Sequence, residues 1–282
     1  MLSMNGKKKK FENSKMYERF KTFLHYRRPL IAGFLNDVPV NSVILDFGCG
    51  PGNWSDYLEN DLGFNVIGID ISKDSIYSAN KNKSISGTNI DFVIGDVRAL
   101  PFKNGSFYGL FSSDVLGHIT DVDKAINEIS RVLKRDAIAA VLTETNGYVG
   151  NKTYQDYVIK RVGEDPWIFM DGHIGLKSYT ELRKIIANAD LIIDDKKFFP
   201  YNHIIFSLLY PPEYDYKNLT DKYPILIDSS YFKIIHLSAL LRKKIFVCNA
   251  FSHLLLKILG TIFIYLDTNV DYGGIFFKLR KL

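Results

Sequence analysis

Short apolar stretches alternate with stretches of helical character between residues 37 and 145. Strands that alternate with helices of this length are joined by right-handed crossovers and form a parallel sheet with helices on both faces. The sequence therefore predicts an α/β fold, a Rossmann-like, doubly wound and mostly parallel sheet. Strands are predicted at 42–47, 65–69, 90–94, 107–112 and 137–143, and helices at 53–61, 73–81 and 121–133.

The remaining residues are predicted to extend this core at both ends. A basic head and N-terminal helices occupy 1–36, with a break at Pro29. The core is expected to cover 37–199, including a lid segment at about 146–177, an amphipathic helix at 178–189 and a late strand at 191–199. A helical appendage is predicted at 200–272, followed by a final strand of the core at 273–282.

The turn after the first strand has the sequence DFGCGPG at 46–52. Glycines let the backbone turn sharply and let a ligand approach without a β-carbon in the way, and the next helix presents its positive end. The third glycine of the dinucleotide pattern G-x-G-x-x-G would fall at Asn53, so that pattern is not met. Asp46 would repel a pyrophosphate, and it suits a ligand that carries an ammonium or sulfonium charge.

This turn and three later segments resemble the motifs of class I S-adenosylmethionine-dependent methyltransferases, in the small-molecule (type 11-like) branch. The later segments are VIGIDIS at 66–72, FVIGDVRALPF at 92–102 and the fourth-strand region 107–133. Asp70 follows Gly52 by 18 residues, about the spacing of a ribose-binding acid. The resemblance covers roughly 40–145, and its departure, RDA in place of Pro-Gly-Gly at 135–137, is remote from the cofactor in that family.

The resemblance implies S-adenosylmethionine as cofactor and S-adenosylhomocysteine as product. It implies that the glycine loop holds the methionine part with help from Asp46, that Asp70 binds the ribose, and that Asp96 reads the adenine amino group. Tyr17 is expected either to fold over the cofactor or to pack in the N-terminal helix. Further cofactor contacts are expected from Gly48, Cys49, Gly50, Gly52, Ile71, Val97 and Ser113.

The family has no universal catalytic residue, because positioning supplies much of the catalysis and a base is needed only for some acceptors. His118 is the candidate base, since histidine titrates near neutral pH; a structural histidine that caps the next helix is an equally good interpretation. His173 is a candidate acceptor contact. The sequence at 112–118 lacks the Asn/Asp-Pro-Pro-aromatic motif of amino-directed nucleic-acid enzymes, and neither cysteine is placed as a nucleophile. The acceptor is therefore expected to be a smaller molecule that reacts at oxygen, nitrogen or carbon.

The composition restricts the partners. The net charge of +5 comes largely from the lysine run at 7–10, so nucleic acid is not an expected partner. The six histidines show no ligand spacing, and no metal site is predicted. Two cysteines and a polar start without an apolar core indicate a cytoplasmic protein.

An apolar segment at 246–266 carries one full charge, Lys257, and is flanked by basic residues. Three interpretations stay open: docking on an anionic membrane surface, a helix buried in the core or in a homodimer, and a membrane span. A final strand that must return to the sheet argues against the span. Docking would place the protein at the inner membrane face and would indicate a lipid-linked or amphipathic acceptor.

The leading hypothesis is a methyltransferase that acts on a small or lipid-associated acceptor. An RNA methyltransferase and a non-catalytic, cofactor-binding partner subunit are the alternatives. The three intact strand-end acids, Asp46, Asp70 and Asp96, argue against a decayed site.

Overall fold

The computed structural model describes residues 27–145, 172–199 and 274–282, with the single positions 163, 221 and 224. This part of the chain forms one seven-stranded sheet of order β3-β2-β1-β4-β5-β7-β6. The strands are β1 (Val43–Phe47), β2 (Asn65–Asp70), β3 (Asp91–Ile94), β4 (Phe107–Ser113), β5 (Leu133–Glu144), β6 (Leu191–Phe199) and β7 (Gly274–Lys281). The helices are α1 (Arg28–Phe34), α2 (Asn53–Asn60), α3 (Lys73–Ser86), α4 (Val122–Val132) and α5 (Tyr179–Asn188), with a short 3-10 helix at Leu116–His118.

Strands β1 to β5 are parallel, and β7 runs antiparallel between β5 and β6. The predicted α/β fold with a mostly parallel sheet is confirmed. The chain builds outward from β1 through β2 to β3 and then returns to β4 on the other side of β1. The strand order therefore reverses between β1 and β4, and in open α/β sheets ligands bind at the carboxyl ends of the strands at such a point.

Two apolar clusters cover the two faces of the sheet, and β1 contributes alternately to both. Leu45 and Phe47 belong to the cluster that includes α4 and α5. Ile44 belongs to the cluster that includes α1 and α2. Side chains alternate along a strand, so Asp46 points to the α2 side, where it is 2% exposed.

Local signals explain where the helices begin and end. Helix α3 begins after Ser72, whose hydroxyl accepts a hydrogen bond from the Ser75 amide, and it ends at Gly87 with φ +74°. The helix extends beyond the predicted 73–81 to Ser86. The sequence did not predict this extension because the polar residues after Lys81 show no apolar periodicity. Helix α5 begins with a capping box between Ser178 and Glu181.

Strand β5 begins at Leu133, directly after α4, whereas the sequence predicted a strand at 137–143. Leu133 pairs with Phe107, and the register shifts before Gly109. Asp136 has φ +62°, so the extended backbone is interrupted where the motif departs from the family pattern. The strand ends at Glu144, beside the carboxyl end of β4.

Several predicted segments lie outside the described residues: 1–26, most of the lid segment and nearly all of the appendage at 200–272. Helix α1 has Pro29 in its first turn, a position that tolerates proline, which fits the predicted break. Among the described residues, no helix has the length and apolar character needed to cross a membrane. The segment 246–266 is not among them.

Candidate functional site

The loop after β1 is built on glycines with positive φ, at Gly48 (+75°) and Gly50 (+52°). A β-carbon on Gly48 would overlap the side chain of Val115, so the loop packs directly on the segment that follows β4. A β-carbon on Gly50 would meet no atom within 4 Å. The loop is therefore pressed against protein at Gly48 and open at Gly50, as a site for a ligand requires.

Asp70 ties this loop to the end of β2. The amide of Gly50 donates to Asp70 Oδ2 at 2.9 Å, and the amide of Ser72 donates to Oδ1 at 2.8 Å. Each carboxylate oxygen has a second lone pair. Asp70 can thus accept hydrogen bonds from two ribose hydroxyls while it still supports the loop.

Asp46 supports the loop from inside the protein. The Ser55 hydroxyl of α2 donates to Asp46 Oδ2 at 2.5 Å. Burial raises the pKa of Asp46 to about 7, the Ser55 hydrogen bond opposes this, and the charge of Asp70 adds to it. A nearby ammonium group would favour the ionised form, so this carboxyl fits a ligand that brings a positive charge.

The end of β3 is occupied by an ion pair that the sequence did not predict. Arg98 donates from Nη2 to Asp96 Oδ2 at 2.7 Å and from Nε to Oδ1 at 3.0 Å. The hydrogen bond from Arg98 lowers the pKa of Asp96. Both side chains stay about one-third exposed, so Asp96 can accept a hydrogen bond from a ligand only alongside Arg98.

The other predicted cofactor residues surround these acids. Ile71 is 66% exposed, next to Asp70, and offers an apolar surface to a flat ring. Val97 is buried. Cys49 is also buried, and burial raises the pKa of its thiol well above the usual range, so this cysteine stays a neutral thiol. Tyr17 lies outside the described residues, and its contact remains a prediction.

A second group of ionisable residues lies at the carboxyl ends of β4 and β5. Arg27 Nη1 donates to Asp114 Oδ2 at 2.6 Å and to Ser113 Oγ at 3.1 Å, and Ser113 Oγ donates to the same Asp114 oxygen at 2.7 Å. Asp114 is also hydrogen-bonded to Glu144. His173 Nε2 lies 3.9 Å from Glu144 Oε1. We call Arg27, Asp114, Glu144 and His173 the acidic cluster.

The pKa values in the acidic cluster move in opposite directions. Burial acts to raise the pKa of Asp114, but the Arg27 charge and the hydrogen bonds from Glu144, Ser113 and Arg27 outweigh it and lower this pKa. Burial and the Asp114 charge raise the pKa of Glu144. Burial lowers the pKa of His173 to about 4. At neutral pH, Asp114 is therefore ionised, and Glu144 and His173 are neutral.

His118 is exposed, and its ring lies against His173 with a centroid distance of 4.5 Å. Its Nδ1 is 3.2 Å from the carbonyl oxygen of Gly172. A carbonyl only accepts hydrogen bonds, so Nδ1 carries the proton and Nε2 has its lone pair available. This tautomer suits a general base.

The segment 172–177 lies over the carboxyl ends of the strands and closes one side of the site. The amide of Gly175 donates to the Gly117 carbonyl at 2.9 Å, and the backbones of Thr145 and Lys177 form an isolated parallel β-bridge. A β-carbon on Gly175 would collide with the Ile119 carbonyl oxygen. Only glycine allows this close approach, which brings His173 beside Glu144.

The structure thus brings the predicted loop, Asp46 and Asp70 together, and it places His118 beside His173. Ser113 was predicted as a cofactor contact, and its hydroxyl is hydrogen-bonded within the acidic cluster. Sequence reasoning missed Arg27, Asp114 and Glu144 as a group. Asp114 follows β4 and Glu144 ends β5. Side chains at the carboxyl ends of neighbouring parallel strands lie close together, and this was the signal in the sequence that could have identified the group.

Comparison with known proteins agrees with this geometry. Residues 45–141, about a third of the chain, match the family described as "Methyltransferase domain". The chain is similar to ubiquinone biosynthesis O-methyltransferase of Pelagibacter ubique, with 29% identity over 166 residues, 57% of this chain and 63% of that protein. It is also similar to 2-methyl-6-phytyl-1,4-hydroquinone methyltransferase of a Synechocystis strain, with 36% identity over 109 residues, 39% of this chain and 34% of that protein.

Solved structures support the fold. The chain superposes on phosphoethanolamine N-methyltransferase 2 of Haemonchus contortus with a TM-score of 0.56 and 18% identity, covering 96% of this chain and 59% of that one. The matches to the two curated relatives above span less than two thirds of their length. The fold, the loop and the family match define a class I S-adenosylmethionine-dependent methyltransferase domain. The family match and the curated relatives support the small-molecule type of this domain, with S-adenosylmethionine as its cofactor.

Proposed function

We propose that this protein transfers the methyl group of S-adenosylmethionine to a hydroxyl oxygen of a quinol-type aromatic acceptor. The observation that carries the proposal is the contact between the cofactor loop and the segment after β4, where Val115 packs on Gly48. That segment holds His118 and Asp114, so a base and an anionic hydrogen-bond acceptor lie next to the loop. The names of the two relatives, a ubiquinone biosynthesis O-methyltransferase and a hydroquinone methyltransferase, support this acceptor class.

One group of residues would hold the cofactor, and another would activate the acceptor. Bound S-adenosylmethionine supplies an electrophilic methyl group next to a sulfonium leaving group. Asp70, which accepts a hydrogen bond from the Gly50 amide, would also hold the ribose and so help to position the methyl group. Fixing the two reactants in line removes much of the entropic barrier to the displacement.

His118 takes the proton. His118 Nε2 would accept the proton that the acceptor hydroxyl loses as its oxygen takes the methyl group, with the cofactor's thioether as the leaving group, and the imidazole would keep that proton. The Gly172 carbonyl keeps Nδ1 protonated throughout and stabilises the resulting cation. His173 stays neutral beside it, because burial lowers the pKa of His173 to about 4, and it adds no repulsion.

Radioactive methyl transfer tests this function. The full chain is incubated with S-adenosylmethionine labelled in the methyl group and with catechol, hydroquinone or phenol, and the label in the organic phase is counted. We expect transfer to the benzenediols and a loss of about 100-fold in His118→Gln, the scale of general base catalysis. Calorimetric cofactor binding is the control and should not change in this variant. A chain that binds the cofactor and labels none of the phenols contradicts the proposal.

We also propose that the acceptor carries an apolar tail and that the protein binds it at a membrane surface. The support is the sequence at 246–266, which is largely apolar, carries one full charge, Lys257, and is flanked by basic residues. A phytyl chain, named for one relative's substrate, is a tail of this kind. Basic residues beside an apolar stretch favour an anionic interface.

Co-sedimentation with vesicles tests the membrane contact. The full chain is compared with a variant that lacks 245–266, on vesicles of neutral lipid and of neutral lipid with phosphatidylserine. We expect binding to the anionic vesicles that disappears in the deletion while its cofactor affinity is kept. A full chain that stays in the supernatant with both vesicles contradicts the membrane contact and leaves methyl transfer untouched.

A further inference from the structure

We propose that Asp114 is an anchor for a second hydrogen-bond donor of the acceptor, and that Glu144, hydrogen-bonded to it, is the positioning residue that holds this anchor in place. The inference rests on the methyl transfer proposed above. It assigns roles to two residues that the sequence motifs do not mark as functional.

The backbone at Asp114 is the first support. Asp114 has φ +60°, a left-handed conformation that aspartate adopts more readily than most other non-glycine residues. The Asp114 amide donates to the Leu142 carbonyl of β5 at 3.0 Å, which fixes this residue against the neighbouring strand.

The two carboxylate oxygens of Asp114 have different hydrogen-bond partners. Arg27 and Ser113 both donate to Oδ2, at 2.6 and 2.7 Å. A carboxylate oxygen has two lone pairs, so these bonds use Oδ2 fully. Oδ1 is then the oxygen for the bond from Glu144 and for one further donor. The Asp114 side chain is 34% exposed, and that of Glu144 is 8% exposed, so a ligand reaches Asp114 and not Glu144.

Glu144 carries the proton of the pair. Its Oε2 is buried and accepts no hydrogen bond from a described N–H or O–H group. Two adjacent carboxylates do not ionise together in a poorly solvated place, and the Arg27 cation sits on the Asp114 side. The charged or titratable groups described around Glu144 are Arg27, Asp114 and His173, and His173 is neutral. A protonated Glu144 therefore donates to Asp114 and orients it.

Asp114 lies between the cofactor loop and the segment that carries His118. Val115, the residue after Asp114, packs on Gly48 of the cofactor loop. Gly117 lies against both Glu144 and His173, since a β-carbon there would come within 3.2 Å of each. An aromatic ring held by one polar group at Asp114 would thus present another hydroxyl toward His118.

A stability measurement tests the proton on Glu144. Folded Glu144 keeps a proton that the unfolded chain releases above about pH 4.5, so the free energy of unfolding falls as pH rises. Denaturant unfolding is measured between about pH 5 and pH 8 for the wild type, Glu144→Gln and the exposed control Asp123→Asn. We expect the fall to be smaller in Glu144→Gln alone. Equal slopes in all three proteins would overturn the proposal.

Kinetics with catechol as the probe test the anchor. We expect Asp114→Asn to raise the catechol KM about 10-fold, the scale of one charge-assisted hydrogen bond, with the cofactor Kd unchanged. Glu144→Ala should lower kcat/KM about 10-fold, and Glu144→Gln should recover most of that loss, because an amide still donates to Asp114. The wild type should lose activity at alkaline pH where Glu144→Gln does not.

The outcomes separate the two proposals. Transfer by the wild type with an unchanged catechol KM in Asp114→Asn would overturn the anchor alone. A Glu144→Gln variant as impaired as Glu144→Ala would overturn the positioning role. Absence of transfer from the wild type would overturn the proposed function and the anchor with it.

Discussion

The side chain of Val115 fills the space that a β-carbon on Gly48 would need. This contact joins the cofactor loop after β1 to the segment after β4, across the point where the strand order reverses. One side of the contact leads to Asp70 and the other to Asp114 and His118. The loop that would hold the cofactor and the segment that carries the proposed acceptor residues are therefore in direct contact at this pair of residues.

Gly48→Ala tests this contact. The added methyl group must displace Val115, and alanine is strained at φ +75°. We expect a loss of about 1–3 kcal/mol in stability and weaker cofactor binding, both measured on the purified variant by denaturation and calorimetry. Gly105→Ala is the matched control, since Gly105 has φ +63° and open space around its β-position. Equal cofactor affinity in the two variants would contradict a role of this contact in shaping the cofactor loop.

Asp70→Asn should weaken cofactor binding about 10-fold or more, because an amide has one oxygen where the carboxylate offers two charged acceptors. The Gly50 or the Ser72 amide would also lose its partner. Calorimetry with S-adenosylhomocysteine gives the affinity. Asp74→Asn, at an exposed position in the first turn of α3, should bind normally, and a similar loss there would point to a general charge effect.

Asp46→Asn should flatten the pH dependence of stability. The folded pKa is raised to about 7 from 3.8, so the folded protein keeps a proton that the unfolded chain releases, and stability falls as pH rises from about 4 to 7. The shift corresponds to at most about 4 kcal/mol. Denaturant unfolding across this range should show a smaller fall in the variant. An identical fall would mean that Asp46 ionises normally in the folded protein.

Gly175→Ala should affect the acceptor side alone. A β-carbon at this position collides with the Ile119 carbonyl oxygen, so the segment 172–177 must move and carry His173 away from Glu144. We expect a lower kcat/KM for catechol and an unchanged Kd for the cofactor. Gly33→Ala, in open space on α1, is the control. Weaker cofactor binding in Gly175→Ala would show that the two halves of the site are not separable in this way.

Much of the cofactor half could be predicted, because its residues follow from local rules. Glycines after a buried strand and acids at successive strand ends meet at one edge of a parallel sheet. The positions of Asp46, Asp70 and the loop therefore depend on short stretches of sequence. The pairing of Asp96 with Arg98 was not predicted, since a motif does not say which neighbouring side chain turns toward the acid.

The acidic cluster could not be predicted in the same way. Arg27, Asp114 and Glu144 are far apart in sequence, and their contact depends on the register of β4 and β5 and on the left-handed backbone of Asp114. His118 and His173 were each considered from the sequence alone. The contact between their rings depends on the close approach of Gly175 to Ile119, which no residue pattern predicts.

The most direct test of the whole account is transfer of labelled methyl from S-adenosylmethionine to catechol or hydroquinone by the full chain, with Asp70→Asn and His118→Gln alongside. The account predicts label in the benzenediol with the wild type, loss in Asp70→Asn that follows its weakened cofactor binding, and loss in His118→Gln at full cofactor binding. A wild-type chain that binds S-adenosylmethionine normally and transfers no methyl group to either benzenediol would contradict it.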